Sequence, residues 1–159
     1  MSEKINQMIP VAMGAIETSG MMKNDRSVPS EYKGYIVSMA ASIMRTGLLT
    51  TITFYTRASR TDENGSSEEM RKAEDTNLLL RAILTVLKKT NGDNTEIQAD
   101  ETLMKHALQY CVDNYNQGQT ISMNDLNRDK LYLLAEEIQD ALYALKLALR
   151  TFDLKKSEA

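Results

Sequence analysis

The sequence predicts an all-α protein, a bundle of about six helices with a long helix near its C-terminal end. Along most of the chain, apolar residues recur at spacings of three and four, which is the pattern of amphipathic helices. Two prolines, no tryptophan and ten methionines make a composition that favours helix. One segment has strand propensity, but no other run in the chain offers it a pairing partner, and a lone strand is unstable.

Length and charge limit the classes of protein to which this chain can belong. Its 159 residues suit one helical domain, 1–159, and 42% hydrophobic with 26% charged residues is typical of soluble globular proteins. The net charge is −3 and the sequence pI is about 5.3. These values argue against a protein that coats nucleic acid with its whole surface, but they leave room for a local basic groove.

Cysteine content and apolar runs bear on the compartment. Cys111 is the only cysteine, so the chain forms no internal disulfide and no Cys-rich metal site. We therefore expect a reducing compartment. The first ten residues lack the apolar stretch of a secretion signal, and no apolar run approaches the ~20 residues of a membrane span. We expect a cytoplasmic, soluble protein with no membrane contact.

The segment from Tyr32 to Arg60 organises the prediction. Its first half places Tyr32, Ile36, Met39 and Ile43 on one helical face. Gly47 then provides a residue that tolerates positive φ, which is a common way for a helix to end. The next residues, 50–56, are rich in threonine and aromatic side chains and alone favour strand. Because no partner strand exists, we predict a second helix after Gly47.

Four further helices complete the predicted bundle. We predict them over residues 4–21, 67–89, 100–115 and 124–156, with mobile loops near 61–69 and 90–100. Pro10 either kinks the helix over 4–21 or lies in its first turn. In the helix over 100–115 we expect Tyr110 and Cys111 to face inward, and Cys111 to be a buried apolar residue rather than a nucleophile.

The helix predicted over 124–156 has apolar residues on two sides. One stripe consists of Leu131, Leu134, Ile138, Leu142, Leu145, Leu149 and Phe152. On the other side lie Leu133, Tyr143, Leu147 and Leu154. A helix with this pattern is either central in its bundle or contacts another molecule. Leu133, Leu147 and Leu154 are our candidates for a subunit interface.

Most catalytic sites are excluded by the residues present. His106 is the only histidine, which rules out a di-iron carboxylate bundle and leaves Ser-His-Asp catalysis without a suitable context. There is no Gly-rich phosphate loop. One enzymatic alternative survives, because Glu137 and Asp140 resemble half of the Mg²⁺ site of all-α nucleoside-triphosphate pyrophosphohydrolases. The second half is missing, and a solvated acidic face is the simpler interpretation.

The cationic residues offer a binding function. Gln139, Tyr143, Lys146 and Arg150 form one helical stripe, and Arg57 and Arg60 form a second pair. Cations beside a tyrosine can hold a phosphate backbone while a base or sugar rests on the ring. The simpler interpretation is that these cations solvate a helix and balance its C-terminal dipole.

Two parts of the chain resemble a known family. The residues Tyr32-Lys33, Ile43, Gly47-Leu48 and Phe54-Tyr55 are similar to the central segment of the small helical subunit of the type III-B CRISPR effector, the fifth Cmr protein. In this chain Ala40 and Thr46 stand where that family commonly has proline and asparagine. The leucine-rich helix over 78–87 also fits the family.

The C-terminal segment is similar to the ending of the same family. The similarity lies in Tyr132-Leu133-Leu134-Ala135-Glu136-Glu137, Ala141-Leu142 and Leu145-Lys146. Ala144 and Leu147 replace a tryptophan and an arginine of the family pattern, so the basic ending is weaker here, and Arg150 compensates in part.

The resemblance implies a non-catalytic subunit without metal or cofactor. Copies of such a subunit stack as a short helical filament beside the backbone subunit of the Cmr complex and contact crRNA or target RNA, while base pairing reads the sequence. No DNA contact is expected. For the RNA backbone the candidates are Lys33, Arg45, Arg57, Arg60, Lys146 and Arg150, with Tyr143 as a stacking surface. The alternatives are the pyrophosphohydrolase and a helical scaffold that contacts only protein.

Overall fold

Helices dominate the computed structural model, which describes residues 3–58, 67–116, 118 and 120–156, without the side chains of residues 57, 58 and 67. The elements are α1 Glu3–Ser19, β1 Ser27–Pro29, α2 Tyr32–Thr46, α3 Leu48–Ala58, α4 Ser67–Thr90, α5 Leu103–Cys111, α6 Arg128–Leu149 and β2 Asp153–Lys155, with a single 3₁₀ turn at Met123–Asp125. Within the described ranges, six α-helices confirm the prediction of an all-α protein with a long C-terminal helix. Residues 61–66 of the predicted loop lie outside the described residues. Its last three residues, 67–69, form the beginning of α4.

The first helix extends on both sides of its proline. Pro10 lies inside α1 with its ring on the exposed side, while Ile5, Met8 and Ile16 are buried on the other. α1 packs most extensively against α6 and next against α4. Both α1 and α6 bury several alanines, and such small side chains allow helix backbones to approach closely. These contacts make α6 central to the core.

The joint between α2 and α3 is formed as the sequence predicts. α2 buries the four residues of the predicted stripe and ends at Gly47, whose φ of 92° and ψ of 166° are accessible to glycine almost alone. The Gly47 N–H donates to Ile43 O at 3.0 Å. The threonine-rich segment that follows is helical, and the Thr51 hydroxyl donates to Gly47 O at 2.8 Å. Hydroxyl groups that bond to the preceding turn let threonine remain in a helix.

The helix predicted over 124–156 is shorter than expected at both ends. It begins at Arg128, where the Asn127 side chain accepts a hydrogen bond from Lys130 N at 3.1 Å, and it ends at Leu149. Phe152 and Leu154 were therefore wrongly assigned to it. Leu154 instead belongs to β2, which pairs in parallel with β1.

The small parallel sheet corrects the prediction that no strands occur. Its register pairs Ser27 with Asp153, Val28 with Leu154, and Pro29 with Lys155. The connection between α1 and α2 thus contains a buried strand, in which Val28 is fully inaccessible. The sheet joins the residues before α2 to those after α6.

The fifth helix is also shorter than predicted. α5 begins after Thr102, whose hydroxyl accepts from Lys105 N at 3.1 Å, and it ends at Cys111. Cys111 is fully buried, which confirms the prediction of an apolar role. Tyr110 was predicted to face inward but is 39% exposed. Among the helices described here, none is both long enough and apolar enough to cross a membrane.

Candidate nucleic-acid interface

A shallow groove runs between α2 and α6. The side-chain amide of Gln139 donates to the Ala40 carbonyl at 2.9 Å and ties the two helices together. Toward the start of α2 and the end of α6, Val37 and Tyr143 line the same groove, which encloses about 180 Å³. Since residue numbers fall along α2 as they rise along α6, the helices are antiparallel there. The beginning of α2 therefore lies beside the end of α6.

This arrangement places predicted RNA-contacting residues at one end of the groove. Lys146 lines the groove directly, and Tyr143 exposes 40% of its surface there. Lys33 lies one turn before Val37 on the same side of α2 and is exposed. Arg150 caps the C-terminal end of α6, one turn beyond Lys146, and is also exposed.

These cations are not neutralised by neighbouring carboxylates. Within the part of the chain that the structure describes, Lys33, Lys146 and Arg150 form no ion pair. Gln139 also faces the groove as a neutral donor. Glu136 lies two turns before Tyr143 on the same helix and is exposed, so negative charge begins toward the other end of the stripe. The free positive charge is therefore concentrated where α2 begins and α6 ends.

The remaining predicted cations lie elsewhere or outside the description. Arg45 is exposed in the last turn of α2, twelve residues from Lys33, which is about 18 Å along the helix axis. It faces away from the core and does not line the groove. Arg57 belongs to α3, but its side chain lies outside the described residues, as does the whole of Arg60. Their roles remain predictions.

The candidate interface leucines do not form one surface. Leu133 exposes 56% of its surface, as expected for a residue that contacts another molecule. Leu147 and Leu154 are partly buried and pack against the core. Leu154 is separated from the helix altogether because it lies in β2. The neighbouring Tyr132, 73% exposed, extends the accessible apolar surface around Leu133.

A basic cleft beside the sheet was missed by the sequence reasoning. Lys23, Arg71, Lys155 and Lys156 line it together with Asp25, and its volume is about 490 Å³. The Ser30 N–H donates to the Lys155 carbonyl at 2.9 Å, so the cleft adjoins the start of α2. No sequence pattern marked this cleft, because Lys155 and Lys156 were assigned to a helix that in fact ends at Leu149.

Asp25 limits the positive charge of this cleft. Its carboxylate accepts hydrogen bonds from the Ser27 hydroxyl at 2.6 Å and the Ser27 N–H at 3.0 Å. These two bonds, with a smaller contribution from Lys155, lower the pKa of Asp25 to about 2. Asp25 is thus ionised at neutral pH and pairs with Lys155, whose ammonium lies 3.4 Å away.

The acidic pair of the enzymatic alternative is engaged in other contacts. Glu137 accepts a hydrogen bond from the Asn91 side chain at 2.8 Å, and Asp140 lies 3.6 Å from the Lys4 ammonium. In the described ranges, no cluster of three or more histidine, cysteine or acidic side chains is arranged to hold a metal ion. His106 is half-buried, and burial lowers its pKa, so it is neutral at pH 7.

Comparison with known proteins gives one match. The family model described as CRISPR-associated protein (Cas_Cmr5) matches residues 10–128, well over half of the chain. No curated protein and no solved structure matches this chain. The matched region includes all of α2 and ends at Arg128, where α6 begins, so Lys146 and Arg150 lie beyond it. The match agrees with the resemblance that the sequence motifs indicate, and the chain belongs to the Cas_Cmr5 family, the small subunits of type III-B CRISPR Cmr complexes.

Proposed function

We propose that this chain is a non-catalytic subunit whose groove between α2 and α6 follows the sugar–phosphate backbone of crRNA or target RNA within a cytoplasmic Cmr complex. Family membership supports a role as a component of that complex. The observation that carries the RNA contact is the convergence of Lys33, Lys146 and Arg150 at one end of the groove, without ion-pair partners among the described residues.

The chemistry of the groove suits a backbone rather than a particular base sequence. Ammonium and guanidinium groups hold phosphates through charge, and none of them distinguishes one base from another. The exposed ring of Tyr143, between Gln139 and Lys146, offers a surface for a base or a ribose. Sequence would be read by base pairing between guide and target. The acidic net charge is compatible with this function because one face alone meets RNA.

We further propose that copies of the chain stack on one another through the apolar surface around Leu133 and Tyr132. Both side chains are more than half exposed near the start of α6, on a side of the helix that the core does not cover. Covering apolar side chains that are accessible in the free chain stabilises the association of neighbouring copies. Leu147 and Leu154 pack against the core and are not part of this surface.

Salt dependence of target-RNA binding by the assembled complex tests the proposed RNA contact. In the variant K33Q/K146Q each substitution removes one positive charge from the groove. The matched control K72Q/R128Q removes two exposed cations from other surfaces, and neither forms an ion pair with another described residue. We expect the slope of log affinity against log salt to fall by about 0.7 per lost contact in the groove variant and to stay unchanged in the control.

Equal slopes for both variants and the wild-type complex would refute the proposed groove. The variant R45Q extends the same measurement to a cation that does not line the groove, and R57Q extends it to a cation whose side chain lies outside the described residues. Crosslinking of Tyr143 to RNA inside the complex distinguishes an RNA-contacting subunit from a scaffold that contacts only protein. The substitution L133D tests stacking separately, because it should prevent self-association in sedimentation experiments while leaving the fold intact.

The enzymatic alternative has a direct test. If Glu137 and Asp140 held Mg²⁺, they would have to leave Asn91 and Lys4, and calorimetric titration with Mg²⁺ would show saturable binding. We expect neither Mg²⁺ binding nor nucleotide hydrolysis. Turnover that disappears in E137Q would restore the pyrophosphohydrolase hypothesis.

A further inference from the structure

A polar cleft lies on a surface that shares no lining residue with the groove between α2 and α6. It is bounded by the end of α1, the last three turns of α4 and the loop over 94–97, and its volume is about 410 Å³. Clefts of this size accommodate small-molecule ligands. Its lining is mostly polar, with Arg81, Lys88 and Lys89 as cations and Glu96 as the carboxylate.

The buried Lys88 lines this cleft and forms ion pairs with two carboxylates. The side chain of Lys88 is 8% exposed, and its ammonium lies 2.9 Å from Glu101 and 3.9 Å from Asp93. Asp93 also accepts hydrogen bonds from the Thr95 N–H at 3.0 Å and the Thr95 hydroxyl at 2.6 Å. These contacts lower the pKa of both carboxyl groups, mainly through Thr95 for Asp93 and through Lys88 for Glu101. The charge of Lys88 is therefore balanced, and the loop is held in place over the end of α4.

Two cations at the rim have no such balance. Arg81 and Lys89 lie eight residues apart on α4, on the same side of the helix, and both are exposed. Within the ranges that the structure describes, neither forms an ion pair. Between them the Thr85 hydroxyl donates to the Arg81 carbonyl at 2.9 Å, so it has lone pairs but no proton to offer a ligand.

Neutral donors complete the lining. The Ser19 hydroxyl accepts from Met21 N at 3.4 Å and keeps its own proton for another acceptor. The side-chain amide of Asn94 forms no hydrogen bond with the other described residues. Together with the guanidinium fork of Arg81 and the ammonium of Lys89, these groups are the donors that a phosphate group accepts from.

We propose that this cleft binds the phosphate group of a nucleotide or of a phosphorylated RNA end. Arg81 would hold two phosphate oxygens with its fork, Lys89 would supply a second charge, and Ser19 and Asn94 would donate neutral hydrogen bonds. Glu96, the carboxylate of the lining, opposes the ligand and sets an upper limit on affinity. The site stands independently of the proposed RNA contact in the groove, since the two sites use different residues.

Calorimetric titration of the full chain at low salt with ATP and with pyrophosphate tests the site. We expect saturable binding that becomes about tenfold weaker or more in R81Q and in K89Q, because each loses a charge-assisted hydrogen bond. We expect tighter binding in E96Q, in which the opposing charge is removed. The control K72Q removes an exposed cation from the same helix outside the cleft and should leave affinity unchanged.

A second pair of probes distinguishes the source of the phosphate. A short oligoribonucleotide carrying a 5′-phosphate is compared with the same strand carrying a 5′-hydroxyl. Preference for the phosphorylated strand assigns the site to RNA ends, and binding of ATP alone assigns it to free nucleotides. The proposal is overturned if no probe saturates the wild-type chain, or if R81Q, with an unchanged melting temperature, binds like wild type. Loss of RNA contact in K33Q/K146Q leaves these results unaffected.

Discussion

Replacing Tyr32 by phenylalanine tests a side-chain hydrogen bond that is buried in the core. Tyr32 is fully inaccessible, and its hydroxyl donates to Asp75 Oδ1 at 3.3 Å. Asp75 is 2% exposed, and its Oδ2 atom has no hydrogen-bond partner among the described residues. The substitution thus leaves a buried carboxyl group without its bond to Tyr32. Y32F removes this hydroxyl and keeps the apolar ring.

The cost of Y32F depends on the charge of Asp75. Burial raises the pKa of Asp75 and outweighs the opposing contributions of Lys23, the Tyr32 hydroxyl and Arg71, while Glu31 adds to the rise. In the unfolded chain an aspartate ionises near pH ~3.9. The folded chain holds its proton to higher pH, so the free energy of unfolding falls as pH rises from about 4 through the raised pKa.

The lost hydrogen bond changes this pH dependence. Below its raised pKa, Asp75 is neutral, and a neutral hydrogen bond contributes about 1 kcal/mol to stability. Above the raised pKa the carboxylate is charged, and the same bond contributes about 1.5–3 kcal/mol. In Y32F the pKa of Asp75 rises further, because the charged form loses its donor. The decrease in stability should therefore grow from about 1 kcal/mol in acid to about 2–3 kcal/mol in mild alkali.

Urea denaturation at pH 4.5 and pH 8, followed by circular dichroism, measures this decrease. The matched control is Y35F, since Tyr35 packs edge-on against Tyr32 with ring centroids 5.9 Å apart, and its hydroxyl forms no hydrogen bond with the other described residues. We expect a small and pH-independent effect of Y35F. A cost of Y32F that is equal at both pH values would show that Asp75 does not ionise in the folded protein over this range.

Three further predictions concern the fold. G47A should lower stability by about 1–3 kcal/mol through backbone strain alone, because nothing lies within 4 Å of the added methyl group. G14A lies in the middle of α1, where the added methyl group also meets nothing within 4 Å, and should raise stability by about 0.5–1 kcal/mol. Thermal melts compare the two variants. The thiol of Cys111 is buried and burial raises its pKa, so a disulfide reagent should label it at the rate of unfolding, and rapid labelling of the native protein would contradict the packing. Deleting residues 151–159 removes β2 and uncovers Val28. The free energy of unfolding should fall by at least the roughly 1.5–3 kcal/mol that burying such a side chain contributes. An unchanged denaturation midpoint would show that β2 does not cover the strand.

Local patterns were sufficient to predict most of the helices. The stripe that begins at Tyr32, and the glycine that ends its helix, are properties of neighbouring residues, and α2 and α3 follow them. The threonine-rich α3 was predicted against its own propensity, because no partner strand was found for it. The structure supplies the local reason, since Thr51 and Thr53 bond to carbonyls one turn earlier.

Contacts between distant residues escaped the same reasoning. β1 and β2 have three residues each and pair across more than 120 positions, so no periodicity marks them. For the same reason the helix prediction ran on past Leu149 into Leu154. The packing of α6 beside α2, which brings the start of α2 alongside the end of α6, depends on tertiary contacts that no local pattern shows. The basic cleft that contains Lys155 depends on the sheet and was missed with it.

The pairing of α1 with α6 has a consequence for synthesis in the cell. Residues Glu3–Ser19 emerge from the ribosome long before Arg128–Leu149, yet each helix covers the other's apolar face. The apolar side chains of the nascent α1 are therefore exposed until α6 has been synthesised, and such exposed surface promotes chaperone binding or premature association. Proteins whose contacts join distant positions also fold more slowly than those held by neighbours. The core is therefore completed only once α6 has been synthesised.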